Sequence, residues 1–167
     1  MTPELSRPLR VEAIPAAGQS VEVNATQQEC AAVALRLGIS AVHSLNAHFE
    51  LHPEANGEVR ASGRLSARLA RTCVVSLDDF DTTQREVFRL RFVPAGTEAT
   101  DPDPESEDDI PYDGGLIDLG EALVEQLALD LDPYPRMPDA TLPDEAQSGD
   151  VSPFAALAAL AALRRDG

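Results

Sequence analysis

Lysine and tryptophan are absent from this 167-residue chain, and aromatic residues make up 4% of it. Without large rings, the core has to be assembled mainly from leucine, valine and alanine. All 13 basic residues are arginine. With alanine abundant, that fits a G+C-rich coding bias, although the guanidinium fork also suits carboxylate and phosphate better than an ammonium does. The two cysteines, Cys30 and Cys73, fall in a predicted helix and a predicted strand. They read as small core residues of a reducing compartment, and no disulfide is expected. No apolar h-region opens the sequence, and no run approaches the roughly 20 apolar residues of a membrane helix. A cytoplasmic protein with no membrane contact is expected.

Catalytic signatures are missing as well. There is no G-x-S-x-G, P-loop, G-x-G-x-x-G or H-E-x-x-H pattern. The histidines, His43, His48 and His52, lie on one predicted strand. His48 and His52 share a face but stand about 13 Å apart on an extended chain, too far to bind one ion. The expectation is a non-enzymatic protein with no cofactor and no metal.

What is present is charge, unevenly placed. Residues 1–97 carry a net −1, residues 98–150 a net −16 and the last 17 residues a net +1, so the acidic excess belongs to one segment. A chain of net charge −16 is repelled by bare nucleic acid at long range, because phosphate binding runs on cation neutralisation and counterion release. Any contact with RNA has to be local.

Residues 59–75 alternate strictly. Val59, Ala61, Leu65, Ala67, Leu69, Cys73 and Val75 hold one parity, and Arg60, Ser62, Arg64, Ser66 and Arg68 the other. Residues 83–93 repeat the design, with Phe88, Leu90 and Phe92 against Arg85, Arg89 and Arg91. Successive strand side chains point to opposite faces, so both segments present an apolar side and a cationic side. Arg60, Arg64, Arg68, Arg85, Arg89 and Arg91 are the candidate binding residues. The alternative is a solvated face whose arginines balance Glu50, Glu58, Glu86 and the acidic run.

Residues 41–52 alternate too, with His43, Leu45, Ala47, Phe49 and Leu51 on the apolar side. A two-residue turn at Asn56-Gly57 would place Phe49 opposite Arg64 and mix the faces. A three-residue loop over 55–57 pairs Phe49 with Gly63 and Ala47 with Leu65, and is preferred. The three strands form an antiparallel meander. Residues 8–14 and 20–24 read as short extended segments. Thr26 opens a capping box with Glu29, followed by a helix over 27–37 that stops at Gly38 and buries Ala31, Ala34, Leu35 and Leu37 or their neighbours. Residues 96–112 are rich in acid and proline and read as a mobile loop. Asp118 starts a helix with Leu119, Leu123, Leu127 and Leu131 along one face. A linker over 133–150 and a helix over 152–165 follow, the latter either docked on the domain or open to a partner. The expected fold is a single α+β domain over 1–167, an antiparallel sheet of at least three strands against two or three helices.

The segments GRLSARLARTCVVSLDDF, FRLRFVP, IDLGEALVEQLALDLDPYPR and SPFAALAAL, separated by an acidic gap, occur in the order of the YceD family, and the chain resembles its cysteine-poor members. Cys73, Asp118, Pro133 and Pro135 carry the resemblance. Many relatives have a second cysteine three residues after the one matching Cys73; here that position is Ser76, so one thiolate is left and a zinc shell is excluded. The resemblance implies a bacterial factor for large-subunit ribosomal RNA accumulation, acting on precursor RNA or on a basic ribosomal protein. Two readings follow. The arginines contact RNA, or the chain is an acidic protein-binding adaptor with no RNA contact.

Overall fold

The computed structural model describes residues 3–97 and 107–142. Strand β1 (Pro8–Arg10), β2 (Gln19–Asn24), helix α1 (Gln27–Leu37), β3 (Ala41–Pro53), β4 (Val59–Thr72), β5 (Asp79–Pro94), β6 (Asp108–Tyr112), β7 (Leu116–Asp118) and α2 (Leu119–Asp130) follow in that order. A five-stranded sheet runs β2-β3-β4-β5-β6, and β1 pairs with β7 in a separate two-stranded piece. The sheet is antiparallel except for β6, which lies parallel to β5.

The meander has the expected register. Residues 55–57 form the loop, with Asn56 and Gly57 at φ 62° and 81°, and Phe49 faces Gly63 while Ala47 faces Leu65. Alternation then places Leu45, Ala47, Phe49, Leu51, Ala61, Leu65, Leu69, Leu90 and Phe92 on one buried face. Both helices close over that face. Cys30, Val33 and Ala34 of α1 and Leu119, Leu123, Val124 and Leu127 of α2 join the same core. Helix α1 has its capping box, with Thr26 and Glu29 bonding each other's backbone N–H, and it ends at Gly38 with φ 63°.

Four expectations need correction. The apolar side of β3 does not include His43. A register shift between Val42 and Ser44 makes His43 the extra residue of a bulge, so Val42 is buried and His43 exposed. Leu35 is 86% exposed and Ala31 is exposed as well, because α1 turns its Cys30, Val33 and Ala34 stripe inward and leaves both outside it. The turn between β4 and β5 is shorter than expected: Thr72 pairs with Asp79, and a hydroxyl bond from Thr72 to Asp79 of 2.7 Å closes it.

The fourth correction concerns the acidic loop over 96–112. Its last part is strand β6, held by side chains that composition does not reveal. Ile110 and Tyr112 pack on the core, and the Tyr112 hydroxyl donates to the Gly57 carbonyl at 2.5 Å. Asp109 accepts two bonds from Arg91 at 2.9 and 3.0 Å, which neutralises the charge that argued against order. Residues 98–106 lie outside the described residues, as do the linker beyond residue 142 and the expected helix over 152–165.

Candidate functional site

Pairing of β4 with β5 decides where the six arginines stand. Arg68 faces Thr83, Ser66 faces Arg85, Arg64 faces Val87, Ser62 faces Arg89, and Arg60 faces Arg91. All belong to the parity that points away from the core. The structure therefore brings the six together on one face.

It also divides them. Arg60 and Arg91 are directly opposite, an arrangement that is unfavourable for like charges without counterions. Carboxylates supply these. Arg60 reaches Glu54 at 2.8 Å and Glu107 at 3.3 Å, and Arg91 reaches Asp109 through paired bonds and Glu58 at 3.6 Å. The Asp109 bond raises the Arg91 guanidinium's affinity for its proton further. Arg64, Arg68, Arg85 and Arg89 are exposed and form no ion pair among the described residues.

Toward β2 and β3 the face changes sign. His48 sits between Glu22 at 2.5 Å and Glu50 at 2.7 Å, and these bonds, that of Glu50 first, raise its pKa above the ordinary 6.5. Ser20 donates to Glu50 at 2.9 Å. Between this cluster and the arginines lies a shallow hollow of about 310 Å³, bordered by Asn46, His48, Arg64, Ser66, Arg85 and Val87. Val87 is 72% exposed, an apolar residue in the middle of a cationic face. Sequence parity identified the arginines. The expected alternative, arginines balanced by Glu58 and the acidic run, holds for Arg60 and Arg91, but parity alone did not show which arginines these acids reach, and Glu54 was not among the acids named.

The other motif residues lie elsewhere, around α2. The Asp118 carboxylate accepts four bonds: Ser6 Oγ at 2.5 Å, Arg7 N–H at 2.7 Å, Gly120 N–H at 2.9 Å and Glu121 N–H at 3.2 Å. It caps the helix and ties down the amino-terminal segment. A Cβ on Gly120 would stand 2.7 Å from the Leu5 carbonyl oxygen, so glycine lets that segment cross. At the far end of α2, the buried Arg71 donates to the Asp132 carbonyl at 2.6 Å, and Val74 N–H donates to the Pro135 carbonyl at 2.9 Å. The Cys73 sulfur accepts from Met137 N–H at 3.4 Å and Ser76 N–H at 3.5 Å. These donors, Met137 first, lower its thiol pKa to about 7. Arg71, Cys73 and Pro135 thus fasten the chain after α2 to the end of β4, while Pro133 lies exposed in the same segment.

The fold and face together define an α+β domain with one sheet face covered by helices and the other open and partly cationic. Residues 61–161 match the family model described as "Large ribosomal RNA subunit accumulation protein YceD". That span exceeds half of the chain, and the chain belongs to this family. No curated protein and no solved structure matches it. Among the described residues no helix is long and apolar enough to cross a membrane.

Proposed function

We propose that this chain acts in the cytoplasm as a non-enzymatic factor for large-subunit ribosomal RNA accumulation, and that it contacts precursor RNA through Arg64, Arg68, Arg85 and Arg89. The family description supplies the process. The observation that carries the contact is that these four arginines stand exposed on one face without an ion pair among the described residues, while their neighbours Arg60 and Arg91 are neutralised. Arginine forks bind phosphate oxygens bidentately. Replacing all four by Gln is expected to leave the melting temperature nearly intact, since exposed substitutions typically change stability by about 0.5 kcal/mol or less each. The same variant is expected to fail in restoring large-subunit ribosomal RNA in cells depleted of the protein. Normal accumulation with that variant would overturn the reading.

The adaptor reading has its own support in the acids that enclose this face and in the net −16 of residues 98–150. In it, a basic ribosomal protein is the partner. Salt separates the two: RNA binding through several arginines weakens steeply with ionic strength and the weakening depends on those arginines, whereas a basic partner held by the acids binds the quadruple variant at least as well as the wild type.

A further inference from the structure

The register of β4 on β5 places one cation on every second rung. Arg68, Arg85, Arg64 and Arg89 follow one another along the strand direction, alternately from β4 and from β5. Strands advance about 3.4 Å per residue, so the step is about 6.8 Å and the four span about 20 Å, while neighbouring strands are only about 5 Å apart. This is a narrow zig-zag row rather than a broad patch. Resting on the reading that the face contacts RNA, we propose that the row holds the backbone of one extended single strand of RNA, laid along β4 and β5 with successive phosphates on successive arginines.

Three observations fix the occupant. The first is the step. Several single bonds separate neighbouring phosphorus atoms, so an extended strand can open to meet a straight row, whereas in a duplex the backbone winds round the axis and leaves such a row. The second is width. Carboxylates border the row, with Glu22 and Glu50 on its β3 side at the rungs of Arg64 and Arg89, and Glu107 and Asp109 closing its Arg89 end, where they hold Arg60 and Arg91. One phosphate chain fits along this border, while the second strand of a duplex lying toward β3 would sit over like charge. The third is composition. The outward residues of β2 to β5 beside the row include Ser20, Glu22, Asn46, Ser62, Ser66 and Val87, with no Phe, Tyr or Trp, and the one ring against it, His48 opposite Arg64, is held between Glu22 and Glu50. With no large ring on which to stack a base and the single imidazole beside the row held by two carboxylates, the face takes hold of phosphate and leaves sequence unread.

The test is fluorescence anisotropy of the full chain with labelled oligouridylates of increasing length, an oligoadenylate, and a blunt RNA duplex. The expected result is tightening with length until four phosphates are engaged, little preference between the two bases, and duplex binding at least tenfold weaker. The salt slope of log affinity is expected to be about −3 for four single-strand contacts, falling by about 0.7 for each of R64Q, R68Q, R85Q and R89Q. Arg60→Gln, whose guanidinium is already paired, is expected to leave the slope unchanged. Duplex binding as tight as single-strand binding, with an arginine-dependent slope, would overturn this inference and leave the RNA contact standing. Competition by polyglutamate equal to that by oligouridylate would mark the row as a site for acidic protein and overturn it. Absence of binding to every RNA would overturn both it and the reading it rests on.

Discussion

Gly63→Ala is expected to be among the most damaging single-methyl changes in this protein. Gly63 lies in the middle of β4, facing Phe49 of β3 on one side and Phe88 of β5 on the other. The two rings meet edge to face with centroids 5.0 Å apart, in the space a side chain at 63 would need. A Cβ there would stand 2.3 Å from the His48 carbonyl oxygen and 2.6 Å from the Phe88 ring. The ring can shift. The carbonyl belongs to the sheet and cannot move without disturbing the pairing of β3 with β4. Overpacking of a core costs about 1 to 3 kcal/mol, and an obstruction by backbone puts this site at the upper end. Removing a glycine from a strand interior returns about 0.5 to 1 kcal/mol through chain entropy, leaving a net loss of about 2 kcal/mol. At about 2 to 4 °C per kcal/mol for a chain of this length, the melting temperature is expected to fall by about 4 to 8 °C. Thermal unfolding followed by circular dichroism reads it, with urea midpoints as a second measure. A variant that melts at or above the wild-type temperature would refute the close approach of the two phenylalanines over Gly63.

Leu123→Ala and Leu127→Ala are each expected to cost about 2 to 4 kcal/mol, because both side chains are fully buried beneath the sheet; unchanged urea midpoints would place that helix face against something other than the sheet. Asp118→Ala is expected to cost about 2 to 3 kcal/mol from the lost helix cap and the stranded Arg7 and Ser6 donors, with hydrogen exchange rising first in residues 5–10, and equal exchange there would contradict the tether. The His48 cluster gives a pH signature. Its folded pKa is raised, so its contribution is fully present below the unfolded value near 6.5 and is lost as pH climbs through the folded value. Glu50 is lowered, through His48 first, and its share fades as pH falls below the ordinary carboxylate range. The difference in melting temperature between wild type and His48→Gln is therefore expected to be larger near pH 5.5 than at pH 8.5, and a difference that grows with pH would reverse the assignment.

Strand parity was legible in the sequence because one rule, alternation about a buried face, ran through β3, β4 and β5 and left only one loop length compatible with it. The same rule misplaced His43, since a bulge adds a residue without any signal in the pattern. Strand β6 was illegible for another reason. Its order depends on Arg91 and Gly57, which are distant in the chain, while local composition described only acid and proline. The candidate site divides the same way. That six arginines share a face follows from parity, but which of them are free is decided by Glu54, Glu58, Glu107 and Asp109, and by a register that only the folded sheet supplies.

The placement of the family-motif residues bears on how function could change without loss of the fold. Asp118 and Gly120 secure one end of α2, and Arg71, Cys73 and Pro135 secure the other, all serving the helix-covered side of the sheet. The arginine row uses the opposite parity and shares no hydrogen bond with them. Substitutions in the two groups are therefore expected to act independently, as distant sites without common partners do. An Asp118 variant is expected to lower stability while keeping the salt slope of RNA binding, and an arginine variant to do the reverse. Measured together in the double variant Asp118→Ala with Arg64→Gln, additive effects on stability and an unchanged loss of slope would assign the motif to the fold and the row to the ligand. A slope altered by Asp118→Ala alone would show that the helix side reaches the bound strand.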